Sequence, residues 1–177
     1  MERDETMNIR DALPVHAPNS DELSGGNTEG GILIGGLVER PQMLSPAELS
    51  KLPRIRLVER FVCEEGWAVE DLAWEGVSLR AVLALGRPLP TARYARVYAG
   101  NFGVSLAFAE LDQALLCDQL NGEPLSREHG APWRLVVSGG ACFTSVKWVS
   151  TLDLTAEPGE ATAERIARGR IAAERPG

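Results

Sequence analysis

Along residues 54–63 the chain alternates: Ile55, Leu57, Phe61 and Cys63 fall on one side, and Arg54, Arg56 and Arg60 fall on the other with Val58 and Val62. A period of two belongs to a strand, and here it predicts one that delivers Cys63 at its C-terminal end. Three further runs predict strands: residues 32–38, interrupted by two glycines, residues 94–98, and the buried stretch 134–138. Residues 145–155 alternate again, with Val146, Trp148, Leu152 and Leu154 facing one way. Helices are short. Ser45-Pro46-Ala47-Glu48 has Ser as N-cap, Pro at the first helical position and Glu three residues after the cap, and the helix must end before Pro53. Ser78 caps a second helix that stops at Gly86, and Phe108, Leu111 and Leu115 suggest a third within 107–116. Residues 66–77 read as a loop with short turns, and Asn121-Gly122 is a tight hairpin turn. Many short strands with few short helices predict a β-rich mixed α+β fold in a single domain.

The polar segments set the boundaries. Residues 1–31 are rich in turn formers and read as a flexible acidic arm, 32–155 as the folded domain, and 156–177, opening with Pro158-Gly159, as a mobile and dispensable tail. With 177 residues there is room for one domain with a real core. The net charge of −7 gives no encouragement to nucleic-acid binding. The arm alone carries −5 and the segment 32–155 only −2, so an anion site in the core is compatible with the total. No stretch has the length and apolarity of a transmembrane segment. The N-terminus is acidic and polar, unlike a secretory signal, which suggests a cytoplasmic setting, or a periplasmic one if a signal has been removed. Three cysteines, Cys63, Cys117 and Cys142, do not make a disulfide framework, and no pair has metal-knuckle spacing.

The residues alone suggest little chemistry. There is no phosphate loop, dinucleotide fingerprint or nucleophile elbow. The two histidines are His16, in the arm, and His129, which leaves a Cys63/His129 nucleophile–base pair as an unspecific option.

Several short motifs together are more informative. Cys63-Glu64-Glu65-Gly66-Trp67 is followed by Trp74-Glu75-Gly76-Val77-Ser78-Leu79, then Asn121-Gly122-Glu123-Pro124-Leu125, His129-Gly130-Ala131-Pro132-Trp133-Arg134-Leu135-Val136-Val137 and Ser145-Val146-Lys147-Trp148. In order and spacing this series resembles the sulfite-oxidase-like molybdopterin-binding domain family, in particular its short bacterial oxidoreductases and the methionine-sulfoxide-reducing catalytic subunit. The resemblance covers roughly residues 32–155. It implies the sulfite-oxidase-like fold and a molybdenum–molybdopterin cofactor, the metal held by two dithiolene sulfurs of the pterin and by the thiolate of Cys63. It also implies that His129, Arg134, Ser145, Val146 and Lys147 bind the cofactor: Arg134 as a planar fork and Lys147 as a point charge toward the phosphate, His129 as a donor, and the 145–147 backbone amides as further donors. Cys63 is then the catalytic metal ligand, a soft donor suited to that centre.

The implied activity is two-electron oxidation or reduction of a small oxygen-accepting or oxygen-donating substrate, with a redox partner protein or haem subunit exchanging the electrons. Two stretches depart from the family pattern: Ala99-Gly100-Asn101-Phe102 and Ala141-Cys142-Phe143-Thr144. Both are expected to border the approach to the metal. Because Arg54, Arg56 and Arg60 alternate away from Cys63, a neutral or weakly charged substrate such as a sulfoxide or N-oxide is expected rather than sulfite. The alternatives are a module that carries the cofactor without turnover, and a thiol enzyme using Cys63 and His129.

Overall fold

The computed structural model describes residue 13 and residues 29–63, 66–160 and 162–174. Most of the acidic arm lies outside the described residues. Its Leu13 is buried against Phe61, Trp74 and their neighbours, so at that point the arm contacts the core.

Two sheets carry the chain. In the first, β1 (Ile32–Gly36), β2 (Gln42–Leu44), β5 (Tyr94–Ala99), β6 (Phe102–Ala107) and β10 (Thr151–Thr155) are ordered β2-β1-β10-β5-β6. The β1–β10 pair is parallel and the other neighbours are antiparallel. In the second, β3 (Arg54–Val62), β4 (Ala68–Ser78), β7 (Ala114–Leu120) and β8 (Glu123–Pro124) follow one another, with β9 (Arg134–Val137) also pairing β7. The larger apolar cluster includes Ile32, Ile34, Val97, Leu116, Leu135 and Leu152. A smaller one gathers Phe61, Leu72, Trp74, Leu120 and Val136.

The short helices form where the caps place them. Helix α1 (Pro46–Leu49) has the full reciprocal capping box between Ser45 and Glu48, and α2 (Leu79–Ala84) begins at Ser78, whose hydroxyl accepts from the Ala81 amide. The helix expected in 107–116 is a short 3-10 helix, Phe108–Gln113, running into β7. Asn121 and Gly122 both take positive φ, 53° and 78°, and close the β7–β8 hairpin.

Two segments differ from expectation. Most of the 66–77 stretch read as loop belongs to the long strand β4, Ala68–Ser78. Its alternation is hidden because Leu72, Ala73 and Trp74 are buried in succession, with Leu72 and Trp74 in the smaller apolar cluster and Val77 in the larger one, and a strand covered on both faces loses the period-two signature. A bulge opposite Glu59–Phe61 also shifts the register, with Asp71 at φ 53°. Conversely, only the second half of 145–155 is strand. Residues 145–150 instead fold over the 126–131 loop, with the Trp148 amide donating to Gly130 O (3.1 Å) and Trp148 Nε1 to Arg127 O (2.7 Å).

The C-terminal segment forms helix α3 (Thr162–Glu174). It packs along β6: Ala163 is fully buried, Thr162 Oγ1 donates to Asn101 O (2.8 Å), and the Gly103 amide donates to Thr162 Oγ1 (3.0 Å). The sequence suggested a frayed, dispensable tail because the segment opens with Pro158-Gly159. Its small buried side chain and one threonine make the attachment instead.

Candidate cofactor site

Cys63 follows directly on β3. Its backbone is fixed by a tight turn, with its N–H donating to Trp67 O (2.9 Å) and its carbonyl accepting from the Gly66 amide (3.0 Å). The side chain is 8% exposed and lines a cavity of about 120 Å³. The same cavity is lined by Arg134 at the start of β9, and by Ser145 and Lys147 from the irregular segment. These four expected residues, distant in sequence, therefore meet. A neighbouring cavity of about 160 Å³ shares Phe61 and Ser145 with it.

Arg134 is the centre of the arrangement. It is 5% exposed; its Nε donates to Ser145 Oγ (2.8 Å) and its Nη1 to the His129 carbonyl (3.0 Å). The guanidinium carbon lies 5.5 Å from the centre of the Phe61 ring. Burial pulls the guanidinium down from its usual range to about 10. Among the described residues no carboxylate pairs with it. A cation removed from water without a counter-anion costs several kcal/mol, and its second terminal nitrogen donates to no described residue while the side chain borders the cavity. The site therefore fits a group that brings negative charge.

The other expected residues are placed differently. His129 is buried, but it is not among the described residues lining the cavity; its Nδ1 pairs with Ser126 Oγ (2.9 Å) and its carbonyl positions Arg134. Val146 is fully buried in the larger core. The backbone amides of Ser145 and Val146, expected as donors to the phosphate, bond instead to Cys142 O (3.1 Å) and Thr144 O (3.1 Å). The turn consumes these two donors, while the Ser145 and Lys147 side chains line the cavity. Lys147 Nζ reaches Glu128 O (2.8 Å) and lies 5.6 Å from the Trp148 ring centre.

The departing stretches do border the cavity, through Phe102, Cys142 and Phe143, whereas Ala99 is sealed in the core. Helix α3 adds Ala167 and Arg170 to the wall, a placement that no local pattern in the chain suggested. Arg54, Arg56 and Arg60 are engaged elsewhere, with Asp118 (2.6 Å), Glu75 (3.7 Å) and Glu70 (2.7 Å). Arg170 nevertheless joins Arg134 and Lys147 around Cys63, so the charge argument for a neutral substrate no longer holds. The sulfur of Cys142 lies 2.9 Å from that of Cys63.

Residues 31–163 match the family model described as oxidoreductase molybdopterin binding domain. The chain belongs to this molybdopterin-binding oxidoreductase family. Relatives include the uncharacterized oxidoreductase YuiH of Bacillus subtilis, 27% identical over 85% of this chain and 78% of that one. The Arabidopsis thaliana sulfite oxidase is 29% identical over 71% of this chain and 42% of its own length, and the Campylobacter jejuni protein-methionine-sulfoxide reductase catalytic subunit MsrP is 26% identical over 76% and 52%. The chain thus spans about half or less of these two relatives. Among solved structures, the sulfane dehydrogenase SoxCD of Paracoccus pantotrophus superposes with a TM-score of 0.67 at 27% identity, covering 72% of this chain and 38% of that one. The fold is the β-rich, sulfite-oxidase-like type expected, and molybdenum–molybdopterin is the cofactor that goes with this family. No helix among the described residues is long and apolar enough to cross a membrane.

Proposed function

We propose that this chain is a molybdenum–molybdopterin oxidoreductase in which Cys63 holds the metal and a small oxygen-donating or oxygen-accepting substrate reacts. The observation that carries the reading is the buried Arg134, lacking a carboxylate partner among the described residues, on the same cavity wall as the sulfur of Cys63. When bound, the cofactor supplies two-electron oxygen-atom-transfer chemistry.

The chain's own residues do the rest. Cys63 Sγ, on a turn pinned by Trp67 and Gly66, gives a soft donor at a fixed place. Arg134 and Lys147 hold negative charge, the first as a preorganised fork and the second as a point charge. Ser145 Oγ and the His129 carbonyl keep the fork oriented. Phe61, Trp67 and Phe102 give the wall an apolar part, and a less polar surround strengthens the charge interactions beside it. Arg170 is placed to meet an anionic part of the substrate or cofactor. Electrons are exchanged with a separate redox protein or haem subunit.

The test is Cys63→Ser, made alongside wild type in a cofactor-competent host. The variant should lose bound molybdenum and turnover with a generic electron donor, while pterin is partly retained through Arg134 and Lys147. Metal retention equal to wild type would overturn the ligand role. A metal-loaded wild type without turnover on sulfoxide, N-oxide or sulfite would leave a cofactor carrier as the function.

A further inference from the structure

Cys63 Sγ and Cys142 Sγ lie 2.9 Å apart although 79 residues separate them in the chain. We propose that, in the cofactor-free chain, Cys63 and Cys142 form a reversible disulfide, a redox modification that withdraws Cys63 from the metal until it is reduced.

Geometry carries this. A disulfide bond is about 2.0 Å long, so the sulfurs need to close by roughly 1 Å. Both sit on turns rather than inside ladders. Cys63 follows the last residue of β3, and Cys142 opens the 3-10 turn Cys142–Thr144 just beyond Gly139 and Gly140. Both thiols line the cavity, so a small oxidant that enters it meets them together. Cys117 is an internal contrast: fully buried, outside that cavity, and with its thiol pushed up by burial to about 12.

The chemistry balances with a peroxide as oxidant. One sulfur attacks a peroxide oxygen and breaks the O–O bond, giving a sulfenic acid and water. The second sulfur attacks the sulfenic sulfur and expels its hydroxyl as a second water. Two S–H bonds and the O–O bond are lost, an S–S bond forms, and the two electrons taken from the sulfurs reduce the peroxide. A dithiol reverses the change by exchange. In the disulfide Cys63 has no thiolate to offer a metal. This consequence rests on the ligand role proposed above; the disulfide does not.

The experiment uses full-length chain made in a host lacking the cofactor and oxidised with diamide, which takes the same two electrons and two protons. Peptide mapping should recover the Cys63 and Cys142 peptides as one linked species, with Cys117 still alkylatable after denaturation and dithiothreitol undoing the link. Isolated molybdenum–molybdopterin is then offered. Oxidised wild type should lose most of its metal uptake and regain it with dithiothreitol, and Cys142→Ser should load equally with or without diamide. Absence of the Cys63–Cys142 link overturns the inference, as does a linked chain that loads as fully as the reduced one. Equal loss of uptake in Cys142→Ser overturns the pairing as its cause. If reduced wild type takes up no metal, the ligand reading and the gate both fall, while the peptide map still decides the thiol pair.

Discussion

The guanidinium carbon of Arg134 lies 4.8 Å from the centre of the Trp74 ring, and both side chains are buried. Such a contact is worth up to about 2 kcal/mol when desolvated, less than the several kcal/mol that burying the charge costs. The cation is held in a place that the protein alone does not favour, and binding an anion relieves the imbalance.

Arg134→Met should therefore separate binding from stability. The cofactor-free variant should melt at or above the temperature of wild type, because an apolar side chain of similar length removes the desolvation cost. Its pterin and metal content after expression in a cofactor-competent host should fall sharply. A variant that is much less stable yet retains full cofactor would show that Arg134 serves the fold.

Cys117 predicts an alkaline signature. Burial raises its thiol from 9.0 to about 12. The folded state holds the proton more tightly than the unfolded chain, so this contribution is fully present below about pH 9 and is lost as pH rises through the folded value near 12. Cys117→Ala removes it. The stability advantage of wild type over the variant, measured by denaturant unfolding, should shrink from about pH 8 to about pH 11. A gap independent of pH would contradict the assignment.

Gly130 sits where the 126–131 loop passes between two cavity residues. Its φ is +114°, and a Cβ there would lie 3.0 Å from Lys147 Cβ and 3.2 Å from Arg134 Cβ. Gly130→Ala should cost about 1–3 kcal/mol from the backbone conformation alone, and should reduce cofactor content by displacing Lys147 or Arg134. Unchanged denaturant midpoint and unchanged cofactor content would together refute the requirement for glycine.

Helix α3 is expected to matter, contrary to its polar sequence. Thr162→Val removes the hydrogen bonds with Asn101 O and Gly103 N at nearly constant volume. One such bond contributes about 1 kcal/mol, and for a chain of this size that moves the melting temperature by about 2–4 °C. Truncation after residue 160 should lower both the melting temperature and cofactor retention, because Ala167 and Arg170 leave the cavity wall. Full cofactor retention in the truncated chain would restore the view of a dispensable tail.

Much of the fold was legible wherever a local rule operates. The capped starts at Ser45 and Ser78, the Asn121-Gly122 hairpin and the buried 134–137 strand depend on residues close in sequence, whose preferences survive in the folded chain. β4 was not legible, because the two apolar clusters cover both of its faces and erase the alternation. The alternation in 145–150 misled for the opposite reason: Val146 and Trp148 enter the larger core from an irregular segment rather than from a strand.

The candidate site divides in the same way. The sequence by itself determined the family, the cofactor class and the residue types able to hold it, because a soft thiolate, a guanidinium and an ammonium are chemical properties of Cys63, Arg134 and Lys147 wherever the chain places them. Only the tertiary structure decided which of these groups share a cavity, since that depends on β3, β9 and the 145–147 segment converging from distant parts of the chain. It moved His129 behind Arg134, spent the Ser145 and Val146 amides within the turn, and brought in Arg170 from α3 and Cys142 from across the cavity. Distances between residues far apart in sequence are set by packing, and no local pattern encodes them.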